Sequence, residues 1–533
     1  MAELGVSLGS LVRVVATLGP ASDAPEVIGR LIEAGVAVFR LNFSHGTREE
    51  HAVRLERVRA AAREAGLPVA VLGDLPGPKI RIGGVPNVDE GGGLRLEAGQ
   101  DVLIDPEQGL AVPGATPVLG CTHEGLVDDV HEGERVLIND GAIRMLAVGS
   151  EPSPAGRGRA LRCRVIVGGT LTSGKGLNLP DSDLSVQALG PRDLAWVDWA
   201  VGAGVDFLAM SFVRTPEEVE ELKARLDGLC ARDRVTGEGA PGSIPVVAKI
   251  EKPQGVMNME GIVRAADAIM VARGDLGVEM DLAQVPVVQK QLIAAADAWG
   301  RPCIVATQML ESMIQSPAPT RAEASDVANA VFDGADAVML SGETAVGRYP
   351  VLAVETMQRI IHAAEERIAE RAPEASPPRG IVATGYRTAA LAHGAWHVAR
   401  DIGARLVVCW SQEGGSARYL SQTGFRVPII ACSSSERQTR RMALLKGVRA
   451  LTMGVPDHDP SESPLAAWNR RVDDELVSRG WAEPGDPVVL LAGMPLGVRG
   501  ATNALAVHYV GNPVTGFRAH TGSPRSGASE ARP

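Results

Sequence analysis

Three stretches of this chain follow the same small plan. Gly204-Val205-Asp206 precedes FLAMSF, Ala265-Ala266-Asp267 precedes AIMVARG, and Gly334-Ala335-Asp336 precedes AVMLSG. Each reads as a helix end, a turn and a wholly apolar strand. A strand apolar throughout is buried on both faces, as in a parallel sheet covered by helices. LVRVVATLG (11–19), VAVFRLNFS (36–44), PVAVLGDL (68–75), IPVVAKIE (244–251) and PCIVATQM (302–309) complete the set. Eight such strands alternating with helical patterns are the number that closes a (β/α)8 barrel. The segment SDAPEVIGRLIEAG (22–35) predicts the first helix, capped by Ser22 or Asp23, with Pro25 in its first turn, Ile28, Leu31 and Ile32 on one face, and Gly35 at its end.

The interval from about 83 to 180 breaks the alternation. It is rich in Gly and Pro and carries short runs such as ERVLIND (134–140) and LRCRVIVGG (161–169), so it reads as an all-β insertion after the third barrel strand. RAPEASPPR (371–379) reads as a linker, and ARLVVCW, VPIIACS and PVVLLAG suggest an open α/β domain over 380–512. The expected partition is a barrel of 1–82 and 181–370, an insertion of 83–180, a C-terminal domain of 380–512, and a disordered tail of 513–533.

Composition narrows the function. A length of 533 residues suits two to four domains. A net charge of −11 argues against a nucleic-acid backbone as partner, and 3% aromatic content argues against base-stacking platforms. No basic leader or long apolar run stands out, so neither a signal peptide nor a membrane span is expected. Six scattered cysteines without a C-x-x-C pair read as reduced, buried thiols, and the expected location is the cytoplasm. Only seven of the 53 basic residues are lysines. Lys79, Lys175 and Lys249 sit in Gly-rich or strand-end contexts, where a compact ammonium has a specific use.

In such barrels the chemistry lies at the C-terminal ends of the strands. Strand two ends in Arg40, Asn42, Ser44 and His45, strand three in Asp74, strand five in Lys249 and Glu251, strand six in Arg273, Gly274 and Asp275, strand seven in Thr307, and strand eight in Ser341 and Glu343. One or two would pass as caps; this many on one rim predict a site. Arg273-Gly274-Asp275 also spells a cell-adhesion tripeptide, but its place after five apolar residues points the acid at the barrel mouth. Glu251 and Asp275, one strand apart, could hold Mg2+ or Mn2+ and leave positions for substrate oxygens.

These residues resemble the pyruvate kinase family. The matching motifs are VATLGP (15–20), RLNFSHG (40–46), GPKIR (77–81), GGTLTSGKGLNLP (168–180), AKIE (248–251), MVARGDLGVE (270–279), ATQMLESM (306–313) and the block from PTRAEASDVANAV to DGADAVMLSGETAVGRYP (319–350). The resemblance runs collinearly from about 11 to 511 and is looser in the C-terminal domain, through VVLLAGMP and GATN. It implies a catalytic barrel, a mobile β lid and a regulatory C-terminal domain, with phosphoryl transfer from phosphoenolpyruvate to ADP. Glu251 and Asp275 would bind Mg2+ or Mn2+, Lys249 would stabilise the transferring phosphoryl and the enolate, and Arg40 would grip the phosphate. Gly274 and Thr307 would hold the substrate carboxylate, with Ser341 in the proton-donating water network. His45, Arg81 and Lys175 would contact nucleotide phosphates.

Two departures qualify the resemblance. Family members that need K+ hold it at the positions of Asn42, Ser44, Asp74 and the carbonyl of Leu75, and usually carry Glu where this chain has Lys79. A lysine there implies independence from K+. In SQEGGSARYLS (411–421), Glu413 stands where members activated by fructose 1,6-bisphosphate have a hydroxyl; a carboxylate repels phosphate, so that activation is not expected. Ser411, Gly414 and Ser416 could still take a smaller phosphorylated effector. A homotetramer is implied by resemblance alone. The alternatives are a pyruvate-enolate lyase on the same barrel and a non-catalytic regulatory protein.

Overall fold

A computed structural model describes residues 9–87, 92–156, 158–233, 243–370, 385–457, 463–513 and 515–517. The chain divides into two compact units, Val12–Glu366, and Met1–Leu11 with Arg367–Pro533.

In the first unit, strands Arg13–Thr17, Val36–Asn42, Ala70–Asp74, Phe207–Met210, Val246–Ile250, Ala268–Ala272, Cys303–Ala306 and Ala337–Leu340 close into a parallel barrel in chain order. All eight match the strands expected from the apolar runs. Their residues are buried throughout, except for Arg40 and Asn42 at the end of the second strand.

The repeated aspartates have a physical role at the other end. Asp206 accepts from the main-chain N–H of Val71 at 2.8 Å, Asp267 from that of Val246 at 2.9 Å, and Asp336 from that of Cys303 at 2.9 Å. Each carboxylate precedes its own strand and satisfies an N–H at the start of the strand before it. These bonds staple strands three to four, five to six and seven to eight at the N-terminal ends of the strands.

The first helix runs Pro25–Glu33 and starts after Ala24 without a side-chain cap. The expected Ser22 or Asp23 cap does not form. The Ser22 hydroxyl accepts from the Gly19 N–H at 3.2 Å, and Asp23 is gripped by Arg54 at 2.7 and 2.9 Å. Gly35 follows the helix in the left-handed region, at φ +104°.

The insertion is all-β. A six-stranded sheet includes Arg135–Ile138, Ile143–Pro152 and Arg159–Val167, and a two-stranded sheet pairs Leu94–Leu96 with Gly169–Leu171. It has its own apolar core, including Val102, Ile104, Leu119, Val136 and Leu161.

The second unit carries a five-stranded sheet in the order Val448–Thr452, Ile429–Ser433, Leu406–Trp410, Pro487–Gly493, Thr502–Tyr509, parallel except for the last strand. Apolar side chains cover both faces, Ala392 and Leu420 on one and Trp468 and Val472 on the other. Leu11 belongs to this unit, its carbonyl accepting from the Gly447 N–H at 2.8 Å, and the barrel unit begins at Val12. The expected barrel segment of 1–82 thus loses residues 9–11 to this unit, and residues 1–8 lie outside the described residues. The expected linker at 371–379 lies outside the described residues, as does the tail from 518 on. Where the expected disordered tail is described, it is docked: Thr515 meets His508 Nδ1 at 2.9 Å, and Phe517 stacks on Trp468 at a centroid distance of 6.2 Å. All six cysteines are buried, and none forms a disulfide.

Candidate active site

The C-terminal strand ends bring together most of the residues singled out from the sequence. At their centre is the buried ammonium of Lys249. It lies 3.2 Å from Asp74 Oδ1 and 2.9 Å from Glu251 Oε1, and donates to Ser211 Oγ at 2.7 Å. Burial pulls the Lys249 pKa down, but Asp74 and Glu251 outweigh it, and the group is held charged above its ordinary value. Arg40 approaches Asp74 from the other side, with Nε and Nη2 at 2.7 and 2.6 Å from Oδ2, and donates to Thr17 Oγ1 at 3.1 Å. One carboxylate thus positions two cations at the barrel mouth. Burial pushes Asp74 up, but Lys249 and Arg40 together carry it below the usual carboxylate range.

Glu251 is buried and accepts from the Phe212 N–H at 2.7 Å through its second oxygen. Burial pushes it up to about 7, with Asp275 adding to the rise and Lys249 opposing it. A buried carboxylate made costly by a second carboxylate is stabilised by a nearby dication. Among the described residues no three His, Cys, Asp or Glu side chains gather as a metal cluster. A donor set of two carboxylates fits Mg2+, which retains waters and takes oxygens from the substrate.

Asp275 falls in the first turn of a short helix, Arg273–Glu279, that follows the sixth strand directly. The Gly274 N–H donates to Thr307 Oγ1 at 2.7 Å. A Cβ on Gly274 would stand 3.3 Å from that oxygen, so a side chain there would crowd the approach. Thr307 and Gln308 have φ of +67° and +53°, and Phe212 has +57°. Left-handed backbone in residues with side chains carries strain, and here it clusters on the rim.

Arg273 is 9% exposed and held by Asp326 at 2.7 Å and the Thr307 carbonyl at 2.8 Å, so the tripeptide is no adhesive loop tip. Ser341 has a buried hydroxyl without a partner in the structure, and its N–H donates to Glu343 at 2.7 Å. Asn42 accepts from the Ser44 N–H at 3.1 Å, and the Leu75 carbonyl accepts from Ser211 Oγ at 2.8 Å. Lys79 lies 3.6 Å from Asp275 Oδ1, while both oxygens of Asp74 are engaged by Lys249 and Arg40. His45 is exposed after the second strand. Arg81 donates to the Gly174 carbonyl at 2.9 Å and the Lys175 carbonyl accepts from the Ile82 N–H at 2.8 Å, both where the insertion leaves the barrel.

Ser211 and Thr17 went unnoticed in the sequence. Ser211 follows the fourth strand as Asp74 ends the third, and the repeat that located FLAMSF carried that signal.

Two family models match the chain: the pyruvate kinase barrel domain over residues 10–354 and the pyruvate kinase alpha/beta domain over 389–508. The chain belongs to the pyruvate kinase family. Among curated relatives, a pyruvate kinase of Mycobacterium tuberculosis (strain CDC 1551 / Oshkosh) is 39% identical over 94% of this chain and 98% of its own. A pyruvate kinase of Geobacillus stearothermophilus is 39% identical over 93% of this chain and 80% of its own. Among solved structures, a pyruvate kinase from Cryptosporidium parvum aligns with a TM-score of 0.80 at 31% identity, covering 94% of this chain and 96% of that one. As a pyruvate kinase, it transfers phosphoryl from phosphoenolpyruvate to ADP in glycolysis, giving pyruvate and ATP. The family uses Mg2+ or Mn2+. No described helix is long and apolar enough to cross a membrane.

Proposed function

We propose that catalysis rests on the pairing of Lys249 and Arg40 across Asp74, the observation that supports the residue roles most directly. Phosphoryl transfer has little covalent chemistry for a protein to perform and depends on cations fixed where charge develops. Lys249 faces the charge that grows on the phosphoryl and enolate oxygens. Arg40 grips the phosphate, and its guanidinium needs no reorganisation because Asp74 already holds it. Gly274 and Thr307 receive the substrate carboxylate, with a main-chain N–H and a hydroxyl already in register. Ser341 serves the proton path, its buried hydroxyl having no protein partner in the structure. His45, Arg81 and Lys175 contact the nucleotide phosphates. Glu251 and Asp275 hold the divalent cation, which when bound supplies charge stabilisation to the substrate oxygens.

The enzyme works without K+. Lys79 supports this reading, because its ammonium already places a positive charge 3.6 Å from Asp275. Asn42, Ser44, Asp74 and the Leu75 carbonyl remain the set that would hold K+ if one were used. Fructose 1,6-bisphosphate does not activate. Glu413 is paired with Arg499 at 3.0 Å, which keeps a carboxylate in the loop and occupies a nearby cation. A smaller phosphorylated effector, a cytoplasmic location and a homotetramer complete the reading. So do the domain limits of 1–82 with 181–370, 83–180 and 380–512, apart from residues 9–11.

The test is pyruvate formation from phosphoenolpyruvate and ADP with Mg2+, first in K+-free buffer and then with K+ added. Comparable rates in both support the reaction and its independence from K+. A rate that appears only with K+ discards the role of Lys79 and leaves the reaction intact.

A further inference from the structure

The helix Arg387–Asp401 carries two histidines one turn apart, in the order His-Gly-Ala-Trp-His. Residues i and i+4 share one helix face. His393 Nε2 and His397 Nε2 lie 3.1 Å apart, with ring planes at 86°. The Nδ1 atom of His393 is buried without a partner in the structure, so Nε2 is the atom this ring presents. Both rings are half-buried. Burial, and then the neighbouring His397, hold His393 below its ordinary pKa and so favour the neutral imidazole that binds metals. Arg400 is turned away, donating to Asp401 at 2.9 Å and lying over the Trp396 ring at 4.9 Å.

Two metal–imidazole bonds of about 2.0–2.1 Å at a tetrahedral angle separate their nitrogens by about 3.3 Å. The pair is thus within a few tenths of an ångström of chelating geometry before any metal arrives. We propose that His393 and His397 form a binding site for a borderline divalent transition cation such as Ni2+, Cu2+ or Zn2+, distinct from the carboxylate pair of the barrel. Imidazole selects such ions over Mg2+, which prefers oxygen. Binding breaks the bond between the two rings. The proton shared between the Nε2 atoms moves to Nδ1 of the ring that held it, a tautomer change, and both Nε2 lone pairs then face the ion. Water fills the remaining positions.

The experiment uses the full chain in millimolar Mg2+, titrated with Ni2+ and followed by calorimetry. Trp396 lies 5.1 Å from His397, ring centre to ring centre, so quenching of its fluorescence by Cu2+ gives a second readout. The expected result is one high-affinity Ni2+ per chain, weakened about tenfold or more in His393→Ala and in His397→Ala. Trp396→Phe should lose the Cu2+ quench and keep Ni2+ binding. No Ni2+ binding by the unmodified chain overturns the proposal, and so does undiminished affinity in folded histidine variants. Should either alanine variant misfold, His397→Gln and the unmodified chain carry the same test.

Discussion

The guanidinium of Arg273 donates to the main-chain carbonyl of Thr307 at 2.8 Å, while the hydroxyl of Thr307 accepts from the N–H of Gly274 at 2.7 Å. Arg273 and Gly274 are adjacent, so the end of the sixth strand holds the end of the seventh by both backbone and side chain. The conformation being held is the left-handed one at Thr307. The arginine of a tripeptide that looks adhesive is a buried brace under Thr307, the residue proposed to hold the substrate carboxylate.

Replacing that brace should therefore affect chemistry more than nucleotide affinity. Arg273→Lys keeps the charge but loses the fork that reaches Asp326 and the Thr307 carbonyl together. We expect kcat to fall on the order of 10–10²-fold, with KM for ADP changed little. Steady-state kinetics with each substrate varied in turn checks this; an unchanged kcat would show that Thr307 needs no such support.

Lys249→Met removes the central cation and leaves Asp74 and Glu251 buried beside Asp275. The loss of kcat should be about 10²–10³-fold or more. Ser211→Ala removes one hydrogen bond to the ammonium and one to the Leu75 carbonyl, and a much smaller loss is expected. Single-turnover phosphoryl transfer separates these effects from product release.

Lys79→Glu reverses the charge beside Asp275. If the ammonium replaces a monovalent cation, this variant should be slow without K+ and recover when K+ is added. Rates across a K+ titration at constant ionic strength would reveal it. Equal loss at every K+ concentration would assign Lys79 another task.

Asp74 sets an acid limit on the barrel mouth. Its burial favours protonation, but Lys249 and Arg40 prevail and its folded pKa lies below the ordinary carboxylate value. Its stabilising contribution is complete above the unfolded pKa of about 4 and is lost as pH falls through the lower folded value. Urea unfolding midpoints should fall across that acid window in the unmodified protein. Asp74→Asn should flatten this dependence and lower stability at neutral pH.

The staples at the N-terminal ends of the strands should affect stability and spare the chemistry. Asp206 is fully buried, holds the Val71 N–H, and pairs with Arg59 at 2.7 Å. Asp206→Ala removes the acceptor of the Val71 N–H and a charged partner of Arg59, at a cost of about 3–5 kcal/mol. Denaturant unfolding measures the loss, and KM for phosphoenolpyruvate in the surviving folded fraction should be unchanged.

All eight barrel strands were legible because strands buried on both faces tolerate no polar interruption until they end. That same break revealed Arg40, Asp74, Lys249, Glu251 and Asp275, whose polarity stands out against the runs before them. Ser211 lies inside the FLAMSF run that the repeat locates, yet a small hydroxyl at a strand end is common, and for it as for Thr17 only the nearby cations give it a role. The first helix cap was misread for a related reason. Ser22 and Asp23 are good capping types, but a local turn at Gly19 claimed the first and the distant Arg54 the second. The left-handed backbone at Thr307 had no local signature at all, since neither Thr nor Gln favours it and the contacts that impose it are tertiary.

The three aspartate staples give the barrel an internal grammar of two. They join strands three to four, five to six and seven to eight, and the aspartates recur at positions 206, 267 and 336. A break in the chain between couples would leave every staple whole, whereas a break inside a couple would cut one strand from its clasp. Relocated termini should therefore be tolerated after the fourth or sixth strand and resisted after the third, fifth or seventh. By this measure six strands of the ring fall into three clasped parallel pairs.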